Sequence, residues 1–170
     1  MDDKLIRFFN KINFDDVDNF EGVKVSKVVI NKQKESWIVY LQSDKVVNPE
    51  AMIKLINKAK DGIENVNMID IKISYSNISD EDIIKYFKYF LDQKVIDNVS
   101  LQSIINNDFK VENNEISVEV ISKMEANLVD SFNDEFRKYL KNLGISEVEL
   151  VPVINDEKRK EIKEEIENSK

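Results

Sequence analysis

The apolar residues of this chain follow one series of periodicities, helical, alternating, alternating, helical, alternating, and then run through the same series again. That repeat is the strongest limit on the fold, because each αββαβ run can bury its helices on a small sheet of its own. The class predicted is α+β, with two small αββαβ lobes. In the first, Leu5, Ile6, Phe9 and Ile12 share a helical face, and Asp2 and Asp3 sit where the helix dipole favours acids. VSKVVIN and WIVYLQ flank the polar stretch Lys32 to Glu35 and predict a hairpin, with Trp37, Val39 and Leu41 on one face. Asn48 before Pro49 predicts a helix start, Met52, Leu55, Ile56, Ala59 and Ile63 a buried stripe, and Gly62 a left-handed stop. Ile69, Ile71, Ile73 and Tyr75 alternate with Asp70, Lys72 and Ser74, as a half-buried strand does.

The second run opens on Ser79 and Asp82, spaced as a capping box, with Ile83, Ile84, Phe87, Phe90 and Leu91 on one helical face. A short turn of helix is expected at Leu101 to Ile105. Phe109 and Val111, then Ile116, Val118 and Val120, bracket Asn113 and Asn114 as a second hairpin. Ser122 and Glu125 form another capping box, and Leu128, Val129, Phe132, Phe136, Leu140 and Leu143 run down one face to Gly144. Val148 to Ile154 closes the run, with Pro152 pointing to an edge strand. The domains expected are 1–76, 77–155 and a charged helical linker at 156–170. That linker has only Ile162 and Ile166 as apolar residues and no strong stop signal, which predicts that the natural chain continues past Lys170.

At 42% hydrophobic and 34% charged residues, the chain is too apolar for disorder and too charged for a membrane protein. No stretch approaches the roughly 20 apolar residues of a span, and MDDKLIRFF is acidic where a signal peptide is basic, so a cytoplasmic location is expected. Cysteine and histidine are both absent, which removes thiolate metal sites, disulfides, the commonest general base and the commonest metal ligand. No metal and no cofactor is expected. A net charge of −8 is the wrong sign for a protein whose main task is neutralising phosphates.

Candidate chemistry is sparse. Asp15, Asp16 and Asp18 are the densest carboxylate cluster, and spaced aspartates can hold divalent metals for phosphoryl transfer, but they read here as a solvated turn without converging partners. Glu119 and Glu125 pair no better, one on a strand and one a cap. Phe87 and Phe90 read as core. Tyr86 and Tyr89 are expected to be partly exposed and are candidates for a partner-binding patch. Trp37, on an alternating strand, reads as a core anchor, with an interface hot spot as the alternative. The αββαβ order also resembles type II KH-like folds, the second lobe above all. Their Gly-X-X-Gly clamp is missing, since Gly22, Gly62 and Gly144 are far apart.

The run VVINKQKESWIVYLQSDKVVNPEAMIKLINKAKDGI resembles the N-terminal region of PolC, the DNA polymerase III alpha subunit of low-G+C Gram-positive bacteria, with Lys34, Ser36 and Trp37 in its hairpin. From Ser79 to Ile154, including SLQSIINN and the helix ending at Leu143 and Gly144, the chain resembles the second N-terminal domain of that family. The first lobe is also similar to a replisome-binding domain of the clamp-loader tau subunit. The resemblance implies a parent polymerase with 3′–5′ exonuclease whose catalytic carboxylates lie downstream, and a non-catalytic docking role here toward clamp-loader or other replisome proteins. Weak single-stranded DNA binding through a degenerate KH-like sheet is the alternative.

Overall fold

Asn48 begins the first long helix as its sequence predicts: its side-chain oxygen accepts the Glu50 N–H at 2.9 Å, and Pro49 follows at the first helical position. The computed structural model describes residues 1–95, 104, 109–145 and 148–155. Its elements are α1 (Asp3–Lys11), β1 (Val23–Asn31), β2 (Ser36–Ser43), α2 (Pro49–Lys60), β3 (Met68–Tyr75), α3 (Asp80–Val95), β4 (Phe109–Glu112), β5 (Glu115–Val120), α4 (Lys123–Asn142) and β6 (Glu149–Ile154). A 3-10 turn, Asp18–Phe20, lies between α1 and β1. The chain divides into two compact units, Met1–Asp82 with Lys141–Ile145, and Ile83–Leu140 with the described part of Ser146–Lys170. Among the described residues, no helix is long and apolar enough to cross a membrane.

In the first unit the sheet order is β1-β2-β3, with β1 antiparallel and β3 parallel to β2. The parallel pair needs a crossover, which α2 supplies. Register puts Leu41 beside Val25 and Ile73, Val39 beside Val28 and Ile71, and Trp37 beside Ile30 and Ile69, so these nine residues share one face. Val39, Leu41, Ile69, Ile71 and Ile73 are buried there against Leu5, Phe9, Met52, Leu55 and Ala59 of the helix layer. The strict alternation read in β3 holds, with its apolar residues in and Asp70, Lys72 and Ser74 out. On α1 the buried set is Leu5, Phe8 and Phe9, while Ile6 is 39% exposed. The spacing explains the correction: positions 5, 8, 9 and 12 form the core stripe, and Ile6 lies about 100° from Leu5 around the helix. Ile56 and Ile63, also expected in the core, are only half-buried.

The acidic stretch after α1 serves the core. Phe14 and Phe20, at either end of it, close on Phe9 with ring centroids 4.9 and 5.2 Å away, and meet each other at 5.5 Å, the latter two pairs edge to face.

The second unit repeats the pattern, with order β4-β5-β6, β4 antiparallel and β6 parallel to β5. Asn113 and Asn114 both have positive φ, 52° and 64°, the backbone of a two-residue hairpin turn with the twist of its strands. Pro152 lies on the edge strand β6, where its missing N–H interrupts no ladder between strands. Phe87 anchors the core, with Phe109 at 4.8 Å and Phe136 at 5.1 Å, both edge to face. Val129, Phe136 and Leu140 are buried as expected, as is Leu143, which belongs to the first unit, whereas Ile84 on α3 and Leu128 and Phe132 on α4 are half-buried. The expected helical turn at Leu101 to Ile105, apart from the buried Ile104, and the charged helix of 156–170 lie outside the described residues.

Candidate docking surface

Among the described residues strand β1 is one of the two edges of its sheet, and its second half carries three consecutive apolar residues on the surface: Val28 (42% exposed), Val29 (43%) and Ile30 (56%). An edge strand offers unpaired backbone N–H and C=O groups, and proteins normally blunt such an edge with charge. Here Lys24 and Lys27 do so only on the first half of the strand. A register shift between Val25 and Lys27 marks a bulge, and there the Val25 N–H donates to Asp2 Oδ2 at 3.0 Å. Asp2 thus ties the start of α1 to β1 and makes no side-chain cap on its own helix.

The helix held in this way covers only part of the sheet. Between α1 and the hairpin is a hollow of about 170 Å³, floored by Phe8, Val25, Val28, Trp37 and Val39. Lys4, Arg7 and Lys11 line its α1 side. These positions, spaced i, i+3 and i+7, form one stripe of the helix. All three are exposed, and among the described residues no carboxylate is within ion-pair distance of any of them. Lys11 Nζ instead lies 5.4 Å from the centre of the Trp37 ring. A second hollow of about 290 Å³ near the hairpin turn is lined by Val29, Ile38, Met68 and again Trp37. The apolar periodicity of α1 points only to its core side. The signal for the groove is the cation spacing on the other side, which means something only once β1 and β2 are placed beside it.

Trp37 is therefore not the core anchor expected from the alternation. It is half-buried between Ile30 of β1, which is exposed, and Ile69 of β3, which is buried, so the inward face there is open on the β1 side. Tyr86, expected to be partly exposed, is 1% exposed. It belongs to the core stripe with Ile83, Phe87 and Phe90, and its ring is 6.5 Å from that of Tyr139. Tyr89 is half-buried. Burial, followed by the nearby Tyr89, pushes the Tyr139 hydroxyl well above the usual tyrosine range.

The carboxylates do not converge. Asp15 and Asp18 are exposed, and Asp16 Oδ1 accepts from Asn19 Nδ2 at 2.9 Å, a local turn contact. Glu125 caps α4, its carboxylate accepting the Ile121 N–H at 2.9 Å while its own N–H donates to Ser122 Oγ at 3.2 Å. Among the described residues no group of three or more acidic side chains could hold a metal ion.

Residues 4–73 match the family model for the DNA polymerase III polC-type N-terminus I. The matched segment runs from the start of α1 into β3 and includes every residue of the groove. No curated protein and no solved structure gives a match to the chain.

Proposed function

We propose that this protein, whose residues 4–73 match the family model for the DNA polymerase III polC-type N-terminus I, is a non-catalytic docking part of such a polymerase. On this reading the second unit is the next N-terminal domain of the same enzyme, and polymerase and exonuclease chemistry belong to other domains. Its partners are proteins of the replisome, the clamp loader among them, and its setting is the cytoplasm.

The observation that carries the reading is the open edge of β1 with Val28, Val29 and Ile30 exposed beside a half-exposed tryptophan. Exposed apolar side chains next to free backbone groups fit strand addition or the core of a protein interface. Tyr89 remains a second candidate contact, while Tyr86 would have to leave the core to meet a partner. The net charge of −8 favours a protein surface over phosphates.

The test is capture of purified replisome proteins on the immobilised 170-residue chain at physiological salt. One of them binds the wild type, and Ile30→Ser with Trp37→Ala weakens that binding. Retention of none of them sinks the proposal.

A further inference from the structure

We infer that the groove between α1 and the β1–β2 hairpin is the docking site for an acidic peptide segment, supplied by another protein, that carries apolar side chains at its centre. The inference rests on the docking reading and names where the partner sits and what it is made of. Apart from Phe8 of α1, the floor is the part of the sheet's inward face that α1 leaves uncovered. Val28 is 42% exposed there although its neighbour in register, Val39, is fully buried. Water over such a strip is displaced favourably by apolar side chains. The hollow, about 170 Å³, is smaller than the roughly 300–1,000 Å³ of small-molecule sites, so it suits side chains anchored from a larger partner.

Charge selects the segment. A chain of net charge −8 repels acids in general, yet Lys4, Arg7 and Lys11 form a cationic stripe along this one groove, with no carboxylate in ion-pair distance among the described residues. Carboxylates placed beside the apolar anchor would meet all three, and such rim charges set partner choice and encounter rate. Single-stranded nucleic acid fits less well. The floor is aliphatic apart from Phe8 and Trp37, Phe8 is buried, and Lys11 already lies against the Trp37 ring. That leaves no run of free aromatic faces for successive bases to stack on.

Trp37 is the only tryptophan, so its emission reports occupancy of the groove without a label. The probe is a short synthetic peptide with glutamates on both sides of a leucine–phenylalanine pair, titrated into the 170-residue chain. The expected result is a saturable shift in Trp37 emission that weakens with salt and is lost when serines replace the apolar pair. Charge reversal by Lys4→Glu with Arg7→Glu weakens binding about tenfold or more, and Lys4→Ala with Arg7→Ala weakens it less. Both residues are exposed, and an unchanged circular dichroism spectrum shows that the fold is kept. The proposal is overturned by an unmoved emission, by undiminished affinity in the charge-reversed chain, or by equal binding of a lysine-substituted peptide. Displacement of the peptide by a single-stranded oligonucleotide at equal concentration also overturns it. A replisome protein that still binds the charge-reversed chain sinks the groove and leaves docking intact, whereas the absence of any bound protein sinks docking itself.

Discussion

The carboxylate of Asp2 accepts the backbone N–H of Val25 at 3.0 Å, joining the residue before α1 to the bulge of β1 across 23 positions of sequence. A bulge leaves a backbone group without a ladder partner, and the side chain supplies one. Asp2→Ala is expected to cost about 1–3 kcal/mol, the range for orphaning a partly buried donor to a charged acceptor. Asp2→Asn, which keeps an oxygen acceptor, should lose less. Urea unfolding of the three proteins checks both. Equal midpoints would show that water satisfies the Val25 N–H.

Gly62 and Gly22 offer a controlled pair. Both have positive φ, +71° and +86°, but a Cβ at Gly62 would lie 2.4 Å from the Val66 carbonyl oxygen, whereas at Gly22 nothing lies within 4 Å. Gly22→Ala is expected to cost about 1–2 kcal/mol for the left-handed backbone alone. Gly62→Ala carries the same strain and forces the Val66 backbone to move, so it should cost at least about 1 kcal/mol more. Thermal unfolding of the two variants under one buffer gives the difference. Equal losses would mean that the Val66 turn yields freely.

Gly62 lies where local sequence is informative, and the same is true of the alternation in β3, the Asn48 cap and the Asn113–Asn114 turn, whereas the left-handed Gly22 carried no such signal. Each is decided by a few adjacent residues and one backbone geometry. What local pattern could not give is which side of an element its neighbours leave open. Tyr86 was legible as helical but not as buried, because Ile83, Phe87 and Phe90 extend the core stripe beneath it. Trp37 was legible as inward-facing but not as half-open, because that depends on its neighbour Ile30 on the edge strand being left exposed. The groove is the extreme case, since Lys4, Arg7 and Lys11 become a site only when β1 and β2, distant in sequence, supply the floor.

The cap of α4 is a two-sided contact, with Ser122 Oγ accepting the Glu125 N–H and the Glu125 carboxylate accepting the Ile121 N–H. Ser122→Ala should cost about 1 kcal/mol. Glu125→Ala should cost a similar amount, and the double variant less than the sum of the two, because both bonds fix the same turn. A double-mutant cycle by chemical denaturation measures the coupling. Strict additivity would show that the two bonds act independently.

Tyr139 carries a strongly displaced proton. Its buried hydroxyl has no hydrogen-bond partner among the described residues, and burial raises its pKa above the ordinary value of about 10. Removing the oxygen leaves nothing unsatisfied, so Tyr139→Phe is expected to be neutral or to stabilise by about 1 kcal/mol. The raised pKa also fixes a pH dependence. Above about pH 10 the unfolded chain releases the tyrosine proton while the folded chain holds it, so the folded state binds more protons and loses stability as pH rises. Below about pH 10 both states keep the proton and the contribution is constant. Other groups titrate in the same range, so the decisive quantity is the difference between wild type and Tyr139→Phe, measured by denaturation from pH 8 to 11. The variant should gain on the wild type as pH climbs past about 10. A constant difference across that range would mean that the Tyr139 hydroxyl ionises as readily in the folded chain as in the unfolded one.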